Sequence, residues 1–297
     1  NDILFKHLAY TFNRTARAFT YGFTGGSAPA SENADTFSRP YYKIINRFSA
    51  NFALTADISL GFLASDIKRK EILSGRVADI HAQMFIATAI LKFYEHGQKT
   101  DAEQAHARLA LDKALYKTQD AFYDLFENFP IKFASALVKF ICFPLGRAVT
   151  KPTDQLKRDV ATYMMQDNAF RQQLKQHVCY STDTNDVSGR MESAFQMLLK
   201  IEPLWNKFKK AESKGQFQGL TFETHIIDAV TTNFITQSEA DQLIAYNIQR
   251  YDSMLTDIFD EQLFNELALD NPHLLHKKTD SAQPQKTDDE PEAFLRF

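Results

Sequence analysis

Apolar residues recur along much of this chain at alternating spacings of four and three. That is the period of a helix packed lengthwise against its neighbours. One run is Leu73, Val77, Ile80, Met84, Ala87, Leu91 and Tyr94, and another is Leu111, Leu115, Thr118, Phe122, Leu125 and Phe129. The runs predict helices over about 68–96 and 101–128, preceded by a helix over about 39–63 that turns Phe48, Phe52 and Phe62 inward. Tyr94 is expected to pack its ring while keeping its hydroxyl near water, and Gly97 to cap the helix end. Short connections make sequential helices antiparallel neighbours. The predicted fold class is all-α: an antiparallel helical bundle with an amphipathic helical hairpin and accessory helices.

The flanking pattern sets the expected boundaries. Residues 1–36 read as a helix, with Leu4, Leu8, Phe12 and Phe19 near one face, and a linker broken by Gly25, Gly26 and Pro29. The bundle takes 37–128 and the apolar segment 129–152. Accessory helices fill 153–267, at about 154–165, 167–178, 186–214 (with Pro203 as a kink or break), 222–231 and 236–267. Thr236 to Glu239 has the form of a capping box. From 268 to 297 the composition is polar and Pro-rich, and a disordered tail is expected.

Residues 129–152 depart from this pattern. They contain four basic residues, Lys132, Lys139, Arg147 and Lys151, and no acidic one. Between Pro130 and Pro144 lies a helix-length run, and a soluble helix normally shows water a broad polar face. Here Lys132, Ser135 and Lys139 share one narrow stripe at about 100° per residue. Two readings stand. Either Ile131 to Phe143 is a core helix, or it lies in a membrane interface. In the second reading Phe133, Leu137, Phe140 and Phe143 enter the acyl boundary, and Lys132, Lys139, Arg147 and Lys151 lie near anionic headgroups. Spanning is excluded by length, since a dozen residues rise roughly 18 Å against about 30 Å of hydrocarbon.

Composition narrows the functional classes. With 34 Lys+Arg against 37 Asp+Glu the net charge is −3, so a nucleic-acid surface is not expected. Cys142 and Cys179 form no metal or disulfide framework. There is no dinucleotide fingerprint, P-loop, zincin motif or nucleophile elbow, and no site for metal. Asp57 and Arg76 interrupt otherwise apolar helices, and an interhelical charge pair between them is expected, because a lone buried charge is costly.

Several ordered motifs carry a family resemblance. Asn46 to Leu54 (NRFSANFAL), Leu73 to Ile80 (LSGRVADI), Phe143 to Arg147 (FPLGR) with Lys151 to Asp154 (KPTD), and Ser188 to Glu192 (SGRME) together resemble the C-terminal domain of bacterial FadE-type long-chain acyl-CoA dehydrogenases. The likeness covers roughly residues 1–262. It implies a flavoenzyme of fatty-acid β-oxidation in which FAD accepts a hydride from the acyl β-carbon and a carboxylate removes the α-proton. It also implies that FAD and the catalytic Glu belong to a dehydrogenase core that precedes this domain, with the helix and linker at 1–36 coming from that core. This fragment is then expected to bear no catalytic, cofactor-binding or metal residue. The implied partners are that upstream core, a homodimer contact and an inner-membrane lipid surface, in the bacterial cytoplasm. The competing class is a non-enzymatic helical scaffold that binds a protein through residues 129–147.

Overall fold

A computed structural model describes residues 2–27, 34–179 and 181–255, with residues 2–8 as backbone alone. The tail at 268–297 and the expected helix beyond 255 lie outside the described residues. Ten α-helices and no strand occur among those described: α1 Asp2–Thr24, α2 Ser38–Leu63, α3 Glu71–His96, α4 Asp101–Asn128, α5 Lys132–Cys142, α6 Asp154–Met164, α7 Ala169–Lys175, α8 Val187–Ser213, α9 Phe222–Thr231 and α10 Gln237–Met254. The chain divides into two compact units, 1–174 and 175–297. Each is described by itself.

In the first unit α3 and α4 pack along their whole length. Every residue of the second apolar run is buried, and all of the first except the half-buried Val77. Tyr94 departs from expectation. Its hydroxyl is buried with its ring and accepts from Gln104 Nε2 at 3.3 Å. Gly97 caps α3 as expected, its N–H donating to the Tyr94 carbonyl, with φ −82°; the positive φ of 55° falls at Lys99. Gly97 is needed for space: a Cβ there would stand 1.5 Å from Glu103 Oε1. That carboxylate accepts from the Lys99 N–H at 2.7 Å, while Thr100 Oγ1 accepts from the Glu103 N–H. This reciprocal cap starts α4, and such caps contribute about 1 kcal/mol.

α2 crosses this pair with Phe48, Leu54 and Ile45 buried. Phe52 is half-buried and stacks on His81, and Phe62 is exposed, so only Phe48 of the three expected inward rings reaches the core. α1 lies on α2 and α5. Residues expected to link to a preceding core therefore join the bundle itself. α6 packs on α4, which is why the first unit runs on to residue 174.

The second unit is built on α8, α9 and α10 around Phe208, Leu243, Ile226 and Tyr246, with Trp205 edge-on to Tyr246 at 4.8 Å. Pro203 does not break α8, which continues through it. The capping box at Thr236 is formed, with Thr236 Oγ1 accepting from the Glu239 N–H and Glu239 Oε2 from the Thr236 N–H.

Gly22 is where α1 comes close to the turn that ends α5. A Cβ there would stand 2.6 Å from Pro144 Cδ and 3.1 Å from the Ile141 carbonyl oxygen. Ala raises helix propensity by up to about 1 kcal/mol, but overpacking costs about 1–3 kcal/mol. Gly22→Ala should therefore be net destabilising, read as a lower urea midpoint at unchanged slope.

Candidate functional site

The structure answers both readings of the apolar helix. α5 turns its small residues inward and its large ones outward. Ala134, Ser135, Val138 and Cys142 are buried. Phe133 is 80% exposed and Phe140 57%, with Leu137 half-exposed beside them. At about 100° per residue the three large side chains share a stripe opposite the buried one. Ser135, placed on the polar stripe from sequence, is buried and donates its hydroxyl to the Phe126 carbonyl.

Phe143 overturns its assignment to the outer face. It is 4% exposed and sits among Phe48, Phe122, Tyr123 and Phe126, with ring centroids 5.2–6.3 Å away. The physical reason is that the helix ends at Cys142. Phe143 takes φ −132° and ψ 57°, so the helical period no longer governs where its side chain points. Above its ring lies the Arg47 guanidinium, 5.5 Å from the centroid. Arg47 Nη2 and Asn51 Nδ2 both donate to the Cys142 carbonyl at 3.3 Å. Burial pulls the Arg47 pKa below its usual range and pushes the Cys142 thiol up to about 12, leaving that thiol protonated and inert.

The outward stripe of α5 continues onto α1. Phe19 lies 6.3 Å from Phe140 and 5.0 Å from Phe23. Phe12, Phe19 and Phe23 are all exposed, Phe12 by 76%. Spacings of seven and four put them on one face with Ala16. The result is a ridge of five phenylalanines and Leu137 over two helices. Sequence reasoning missed the α1 half of it. The periodic signal was present, but the helix was assigned to a different body.

The basic residues are less uniform than expected. Lys132 Nζ donates to the Glu127 carbonyl at 2.6 Å, at the C-terminal end of α4 where cations are favoured, and Lys139 lies 4.0 Å from the Glu127 carboxylate. Lys132 is exposed and Lys139 half-exposed, with Lys139 Nζ also 4.6 Å from the Tyr123 ring centroid. Arg147 is turned onto α4, paired with Asp120 and 4.4 Å over the Tyr123 ring, and Lys151 lies over Tyr116 at 5.3 Å. The segment carrying them is held by Gln119, whose Oε1 accepts from the Val149 N–H at 3.0 Å and whose Nε2 donates to the Val149 carbonyl at 2.9 Å. The expected Asp57–Arg76 pair is not formed. Asp57 pairs with Arg14 across α1 and α2, since α1 covers the face of α2 that carries it. Arg76 instead lines a shallow cleft with Arg69, Lys70 and Asn128.

No group of three or more His, Cys, Asp or Glu suited to a metal occurs among the described residues, and no described helix is long and apolar enough to cross a membrane. The described clefts do not fit FAD. The larger is lined mainly by Ala, Ile, Phe, Val and Leu, with no backbone cradle for a pyrophosphate. The Arg69–Arg76 cleft has cations but no aromatic side chain in its lining to stack on a flavin ring. No flavin step is assigned to these residues.

A family model described as acyl-CoA dehydrogenase, C-terminal, bacterial type, matches residues 1–259. No solved structure matches the chain.

The two kinds of phenylalanine on and beside α5 should separate cleanly in stability. Phe143→Ala should cost about 3–5 kcal/mol as a core deletion. Phe133→Ala should stay within about 0.5 kcal/mol as a surface change. Urea unfolding of the two variants beside the parent protein checks both.

Proposed function

This chain belongs to the family of bacterial-type acyl-CoA dehydrogenase C-terminal domains, and from that premise we propose that it serves an FAD-dependent long-chain enzyme as support and as a peripheral membrane anchor. In this reading the enzyme converts acyl-CoA to trans-2-enoyl-CoA, the first step of fatty-acid β-oxidation. The flavin and the catalytic carboxylate belong to the dehydrogenase core, which is a partner of residues 1–259. The enzyme then lies on the cytoplasmic face of a bacterial inner membrane, where long acyl chains partition.

One observation supports the anchor above others: Phe12, Phe19, Phe23, Phe133, Leu137 and Phe140 form an exposed ridge with Lys132 and Lys139 at its margin. Aromatic and aliphatic side chains facing out beside basic ones suit a helix pair lying in the headgroup–acyl boundary. Each Lys near an anionic surface contributes about 1 kcal/mol, and the exposed rings supply the apolar part. Lys stems reach along an apolar surface while keeping the charge in water.

Flotation with phosphatidylcholine vesicles, with and without phosphatidylglycerol, tests this. The wild-type chain should float with the anionic vesicles and less with the neutral ones. Lys132→Glu/Lys139→Glu and Phe133→Ser/Phe140→Ser should each lose flotation while keeping the helical circular-dichroism signal. A wild-type chain that stays at the bottom of the gradient with both vesicles would overturn the anchor and leave the ridge as a protein-docking face.

A further inference from the structure

Beside α6 and α7 the α3–α4 seam opens into an open-sided cleft of about 620 Å³. Small-molecule sites run about 300–1,000 Å³. The volume has a definite origin. α3 and α4 face each other here through Ala89, Ala107 and Ala110, whereas the neighbouring stretch of the same seam is filled by Met84, Leu111 and Leu115. Phe93, Val160 and Phe170 wall the space that the alanines leave.

The two charged residues that line the cleft stand well apart along α4. Glu103 and Lys113 both line it, and ten residues of α4 at 1.5 Å rise separate them by about 15 Å. Glu103 is committed elsewhere: its carboxylate is turned into the Gly97–Lys99 turn, where it caps α4. Lys113 is exposed at the other end and has neither an ion pair nor a hydrogen bond among the described residues. Between the two ends the wall is aliphatic and aromatic, with the His106 ring edge-on to Phe170 at 5.0 Å. A slot of this length, apolar along its walls and with one free cation at its mouth, matches one kind of ligand.

We infer that this cleft binds a single long aliphatic chain with its carboxylate head at Lys113. The occupant is a fatty carboxylate, held apart from the exposed ridge on α1 and α5. Its tail replaces the side chains that Ala89, Ala107 and Ala110 lack, and its head pairs with Lys113, the one Lys or Arg among the described residues that line the slot. The inference does not depend on membrane attachment, because the two features share no residue.

Isothermal titration of the 297-residue chain with dodecanoate, below its micelle concentration, tests it. Binding should be saturable with one site per chain. Ala110→Phe, which fills the slot, should abolish it. Lys113→Glu, on the surface and without effect on folding, should weaken dodecanoate by about fivefold, the reach of one exposed ion pair, while leaving 1-dodecanol binding unchanged. Phe133→Ser/Phe140→Ser should bind dodecanoate as the parent does. The inference is overturned by the absence of saturable binding, by a folded Ala110→Phe that binds normally, or by loss of binding in the ridge variant. Equal dodecanoate affinity in Lys113→Glu overturns the placement of the head.

Discussion

The turn at Cys142–Phe143–Pro144 is the constraint on which the first unit depends. Its carbonyl is taken by two buried donors from α2, its phenylalanine ring fills the gap between α2 and α4, and its proline closes against Gly22 of α1. Three helices are thus fixed relative to α5 through three consecutive residues. An eleven-residue helix is marginal alone in water, and the inner face of α5 offers mostly small side chains for packing. The anchoring must come from its end. With the end fixed, the rotation of α5 about its axis is fixed as well, and Phe133, Leu137 and Phe140 have no choice but to face outward.

That outcome inverts the usual economy of a surface helix. A Phe side chain brings roughly 150–250 Å² of area, and apolar burial is worth about 25 cal/mol per Å². A monomer selected for stability alone would turn such residues inward and its alanines outward. α5 does the reverse, and α1 repeats the arrangement with Phe12, Phe19 and Phe23. Scattered exposed hydrophobics need no explanation, but a contiguous set on two adjacent helices marks an interaction surface. The free energy left unrealised in the isolated chain is available to whatever covers the ridge.

Much of this architecture was legible in the residues. The four–three runs gave the α3–α4 seam almost position by position, because long regular helices obey one period throughout. Thr236 and Glu239 signalled their cap by spacing alone. The failures have a common cause in the breaks between periods. Phe143 follows directly on the apolar run but stands one residue beyond the helix, where the angular argument lapses. Asp57 was matched to Arg76 because α1 was assigned to another body, which hid Arg14 as the nearer cation. The cleft left no periodic trace, since an alanine on a seam reads as close packing until the facing residue is also known to be small.

Side-chain size along α4 ties the two functional features together. Its N-terminal half buries Ala102, Ala107 and Ala114 beside a single large aliphatic, Leu111, and its C-terminal half buries Phe122, Leu125 and Phe126. Helices with straight axes hold a roughly constant separation, so small residues at one end leave volume that large residues fill at the other. The filled end grips Phe143 and through it sets the orientation of α5. The open end becomes the slot with Lys113 at its mouth. A uniform leucine seam would close the slot. Replacing the aromatic end by alanines would release the ridge. The gradient in size along one helix is therefore the feature that lets a single bundle be rigid at one end and receptive at the other.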